Sequence, residues 1–108
     1  MYIPSNLEDA VEVLIAELSP EYLETIKKSV AEEELSKFHH PLGRFIRNNW
    51  ELWQESPMSL YFNTIGVYHA DDMSAIIIAA LWHKLNNTEF DLKARVAVYQ
   101  EYWRKVLG

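Results

Sequence analysis

Four histidines and two adjacent aspartates are the residues of this chain best equipped for chemistry. His39, His40, His69 and His83, with Asp71 and Asp72, carry the nitrogen and oxygen donors that a divalent metal takes. A metal site needs those donors to converge, as when two histidines sit at i and i+4 on one helix face. No pair here has that spacing: His69 precedes the helix described below, and His83 lies three turns along it. Asp71 and Asp72 could divide acid and base work between them. Neighbours at a helix start point in different directions, however, and a helix N-cap accounts for at least one of the two. There is no Gly-x-Ser-x-Gly, no phosphate-binding glycine loop and no cysteine, so no nucleophile has a recognisable setting. The residues therefore read as those of a protein that is not an enzyme and takes no metal or other cofactor.

Arg44 and Arg47 beside Trp50 and Trp53 have the makings of a base-stacking, phosphate-binding strip. The charge argues against it. Residues 1–38 hold nine acids (Glu8, Asp9, Glu12, Glu17, Glu21, Glu24, Glu32, Glu33 and Glu34) against Lys27, Lys28 and Lys37. The other 70 residues carry seven acids and seven bases, so the net charge of −6 belongs to the first third. Phosphates are repelled by such a surface, whereas a basic protein is attracted. Trp50 and Trp53 are thus expected in the core, with Arg47 paired to Asp71 or Asp72. The acids nominated for partner binding are Glu8, Glu12, Glu32, Glu33, Glu34, Asp71 and Asp72. The competing reading is a set of acidic helix faces that water keeps solvated.

These residues need elements to hold them, and the chain supplies helices. From Ala75 to Trp82 it runs without a polar residue. A helix apolar on every face must be enclosed, so a buried central helix over 71–86 is expected. It is too short for a membrane span of roughly 20 apolar residues. A buried strand is the rival, but Ala79 and Ala80 favour helix and no clear turn residues bound the run.

Before that helix, Ser5-Asn6-Leu7-Glu8 has the form of a capping box, followed by Leu7, Ala10, Val11, Leu14, Ile15 and Leu18 at helical spacing. Ser19-Pro20-Glu21 ends one helix and starts another. Ser29 to Glu32 repeats the capping-box form and opens a helix to about Phe38. His39 to Gly43 breaks the pattern at Pro41. A helix from Leu42 stops at Ser56-Pro57, and a short one from Ser59 ends at Gly66 in the left-handed conformation. Asp71 is the expected N-cap of the central helix. Asp91 caps a last helix whose stripe is Leu92, Val96, Tyr99, Trp103 and Val106. The expectation is one all-α domain over 1–108, with about seven helices around the 71–86 helix. The absence of cysteine and of a basic, then apolar, N-terminal leader fits a cytoplasmic protein.

One further pattern crosses these elements. His40, Leu42-Gly43, Ile46-Arg47-Asn48-Asn49-Trp50 and Leu52-Trp53 are followed by Tyr61-Phe62, Gly66, His69, Asp71-Asp72-Met73-Ser74 and Ile76-Ile77. Over roughly residues 10–86 this resembles a family of small bacterial domains similar to immunity proteins of toxin–immunity systems, of the contact-dependent growth inhibition type. Ala70 departs from it, where the family pattern has proline, and the helix from Asp91 falls outside it. The resemblance implies a small domain that binds a cognate toxin and blocks it. The acidic charge points to a basic, nuclease-type toxin. No catalytic residue is carried over. The other expectation is a non-catalytic adaptor or regulatory module that binds a protein. Neither reading has the chain touching nucleic acid or membrane directly.

Overall fold

The computed structural model describes residues 2–29 and 32–108, with Glu32 and Glu33 described by their backbone alone. Helix α1, Leu7–Glu17, buries Leu7, Ala10, Val11 and Leu14. Its cap is Asn6, whose side chain accepts the Asp9 N–H at 2.8 Å, while Asp9 reaches back to the Ser5 N–H at 3.4 Å. The Ser5–Glu8 box is therefore displaced by one residue. Asparagine caps as well as serine does, and this register leaves Glu8 free in the first turn. Helix α2, Pro20–Lys27, starts as expected, with Ser19 accepting the Tyr22 N–H at 3.1 Å and Pro20 in the first turn.

The expected third helix is not an α-helix. Glu32–Phe38 winds as a 3₁₀ helix and His39–Gly43 as a π turn. Three residues per turn bring Leu35 and Phe38, both buried, to the same side. Pro41 has no N–H to return to the preceding turn, which favours the wider winding around it. The proposed Ser29–Glu32 capping box falls partly on residues 30 and 31, outside the described residues.

Helix α3, Arg44–Asn49, is shorter than the 42–53 pattern suggested. Glu51 adopts a left-handed φ of 53°, and Leu52 donates its N–H to the Arg47 carbonyl at 3.0 Å. That turn sends Leu52 inward and leaves Trp53 65% exposed, correcting its assignment to the core; Trp50 is buried as expected. Helix α4, Pro57–Thr64, begins earlier than expected, because Ser56 and Ser59 cap each other and Pro57 sits where a missing N–H costs nothing. Gly66, at φ 89°, ends it in the left-handed region.

Helix α5, Ala70–Leu85, buries nine residues: Ala70, Met73, Ser74, Ile76, Ile77, Ile78, Ala79, Ala80 and Leu81. It touches every other element among the described residues. Asp71 is not its cap. His69 holds that position without a side-chain bond, and both aspartates lie in the first turn. Helix α6, Leu92–Leu107, is capped by Asp91, which accepts the Ala94 N–H at 3.0 Å. Only Val96 of α6 is fully buried, and Val106, expected on its inner stripe, is exposed. Among the described residues there are six α-helices and no strand. The radius of gyration, 13.3 Å, is what one compact domain of this length has, about 13 Å. No helix among the described residues is long and apolar enough to cross a membrane.

Candidate functional site

Three places gather the residues singled out above. At the first, the motif converges on Arg47. The π turn and α3 carry this side chain under the start of α5, where it is only 5% exposed. Its Nη1 donates to Ser74 Oγ at 2.8 Å and its Nη2 to the His39 carbonyl at 3.3 Å. Its Nε lies 3.4 Å from Asp71 Oδ1, with His39 Nε2 3.8 Å from the same oxygen. Ser74 in turn donates to the Asp71 carbonyl. Gly43 makes the room: a Cβ there would stand 2.7 Å from Arg47 Nη1. These polar groups are turned on one another, so Gly43, Arg47, Asp71 and Ser74 lock α3 to α5. The expected pairing of Arg47 with an aspartate is present, and Asp71 is the partner.

The second place is a groove of about 440 Å³ against α1. Leu7 and Val11 of α1, Tyr61 of α4, Ala80 of α5, and Phe90 and Leu92 at the start of α6 give it an apolar wall. Glu8, Glu12 and Glu89 line it too, with Lys84 as the one lysine or arginine. Helical spacing puts Glu8 and Glu12 one turn apart on one edge of α1. Among the described residues neither makes an ion pair. The groove offers carboxylates above an apolar wall, which suits long basic side chains whose stems are apolar and whose heads are charged.

The third place lies between the 66–72 segment and α6. The His69 and Trp103 rings stack with centroids 3.7 Å apart and planes 16° from parallel. Trp103 Nε1 donates to Asp72 Oδ2 at 2.8 Å. Burial raises the Asp72 pKa, which the Trp103 bond and nearby His69 partly pull back and Asp71 raises again.

The nominated acids thus do not form one patch. Glu8 and Glu12 come together, and Glu34 is exposed on the 3₁₀ helix. The side chains of Glu32 and Glu33 lie outside the described residues. Asp71 and Asp72 face separate polar settings. Sequence reasoning missed Glu89, whose connection to the groove is made only by the turn after α5. It also missed Trp103 as a polar partner, because its helical spacing marked it simply as apolar. Among the described residues no group of three or more histidines, cysteines or acids could hold a metal ion.

The comparisons bear on α1 to α5. A family model described as a domain of unknown function, DUF6794, matches residues 3–85. No curated protein and no solved structure matches the chain. The match takes in the whole Arg47 cluster and most of the α1 groove, stopping at the last residue of α5. On that span the chain belongs to the DUF6794 family.

Proposed function

We propose that this chain is an immunity protein that binds a basic, nuclease-type toxin domain in the cytoplasm and occludes its active surface. The observation that carries the reading is the groove along α1, where unpaired Glu8 and Glu12 stand beside Leu7 and Val11. A toxin that cuts nucleic acid needs a basic cleft, and this acidic face complements one. The exposed carboxylates steer the encounter over about 8–10 Å, the reach that salt leaves them. The apolar wall then seats the stems of the toxin's lysines and arginines. In this reading, helix α5 is the central support that holds the α1 groove in shape.

The test is binding kinetics against the product of the neighbouring gene. Exchanging Glu8 and Glu12 together for Gln should slow association roughly tenfold at low salt and change dissociation less. Raising salt should slow the parent and leave the variant nearly unmoved. Association that ignores both salt and the substitutions would overturn the reading. Capture of a basic partner without toxin activity through the same groove would make the chain an adaptor instead.

A further inference from the structure

The cavity between the 66–72 segment and α6 measures about 530 Å³, within the range of roughly 300–1,000 Å³ that small-molecule sites occupy. Four rings line it: Tyr68, His69, Tyr99 and Trp103. Asp72 supplies the one acidic side chain of its lining. One Asp72 oxygen is held by the Trp103 indole at 2.8 Å. The other receives no donor among the described residues. Beside the Trp103 bond and the nearby His69 ring, a carboxylate partly withdrawn from water still has one oxygen without a donor, and a bound cation would complete its compensation. Arg104 at the rim does not, because its Nε and Nη2 are bound by Glu101 of its own helix at 3.0 and 2.6 Å.

The rings narrow the class of cation. Aromatic faces attract positive charge, most effectively where water is excluded. A primary ammonium or a guanidinium brings several N–H donors, each of which needs an acceptor. A trimethylammonium group brings none, and it spreads its charge over methyl groups that rings can pack against. One acidic side chain beside Tyr68, Tyr99 and the stacked His69–Trp103 pair matches that requirement. We propose that this cavity binds a small organic cation of the trimethylammonium class, with Asp72 as counter-ion and Trp103 and Tyr99 among its walls. Both of those rings come from α6, beyond the family match. The site is thus built jointly by the family domain and the helix that follows it. It is separate from the α1 groove and does not depend on the toxin-binding reading.

The experiment is an NMR titration of the full chain, following backbone amides and the Trp103 indole N–H. The probes are choline and its uncharged isostere 3,3-dimethyl-1-butanol. Choline should shift the Trp103 indole and the amides of residues 66–72, and bind about tenfold more tightly than the alcohol. Asp72→Asn keeps an acceptor for the indole and should abolish that preference. Asp71→Asn, one position along and outside the cavity, should retain it. Equal binding of choline and alcohol to the parent chain would overturn the proposal without recourse to any variant. So would choline shifts confined to another surface, no shifts at millimolar choline, or an Asp72→Asn chain that still prefers the cation.

Discussion

Arg47 shows how a charged residue comes to sit inside a small domain. Its planar head reaches Ser74, the His39 carbonyl and Asp71 at once, a fork that lysine cannot reproduce. Arg47→Lys is expected to lower stability by about 1–3 kcal/mol in urea unfolding, because it leaves buried partners unmet. Gly43 has helical torsions, where alanine is ordinarily better by about 0.5–1 kcal/mol. The 2.7 Å approach to Arg47 reverses that preference. Gly43→Ala should be destabilising in the parent and close to neutral once Arg47 is replaced by Met. Asp72 makes a prediction of a different kind. Its folded pKa is raised, mainly by burial, so protonation favours the folded state. That contribution is fully present below the unfolded carboxylate's pKa and is lost as pH rises through the folded one. Asp72→Asn should therefore raise the melting temperature at pH 7, and the gain should shrink as pH falls towards about 3–4. A variant less stable than the parent at pH 7 would show that His69 compensates the charge. The Arg47–aspartate pairing was legible from the residues alone. The role of Trp103 was not, because an indole at helical spacing reads as apolar until its N–H is seen to meet a carboxylate.

At the scale of elements, what could be read depended on whether a segment keeps one period. The apolar run of α5, the left-handed Gly66 and the Asp91 cap all follow from local chemistry, and each was legible. Residues 32–38 were not, because they wind with three residues per turn while the pattern was read at 3.6; the break at Pro41 was legible, but not the π winding of His39–Gly43 around it. Ser56-Pro57 was read as a stop, yet the same pair starts α4 through its bonds with Ser59. Ser56 Oγ also donates to the Trp50 carbonyl at 2.9 Å, so one hydroxyl ties the end of α3 to α4. Ser56→Ala should cost about 1–2 kcal/mol by thermal or chemical unfolding. In α5, Ile77 is fully enclosed, and Ile77→Ala should cost about 2–5 kcal/mol. A loss below about 0.5 kcal/mol would mean that the helix is not the support it is taken to be.

Across the whole molecule, attachment is uneven. Helix α5 buries nine of its 16 residues, whereas α6 is fixed by Val96, the half-buried Leu92 and Tyr99, and the Trp103 contacts. Segments with few buried contacts open first. Amides of α6 should therefore exchange with deuterium well before those of Met73 to Leu81, and a reversal of that order would contradict the packing. The charge asymmetry was legible in the sequence as a count. Its resolution into separate acidic settings was not, since Glu89 joins Glu8 and Glu12 only after the chain has folded back.

Among the described residues, the helix that every other element touches is the fifth of six α-helices in chain order, so it leaves the ribosome late. Until residues 70–85 have been made, the core that Leu7, Val11, Leu14, Ile46 and Trp50 share with α5 is incomplete. At synthesis rates of about 5–20 residues per second, the emerging chain spends seconds in that state. The excess negative charge of its first third repels neighbouring copies during this interval. The same carboxylates that would later meet a partner can thus act first as a safeguard against clumping on the polysome, before the domain exists.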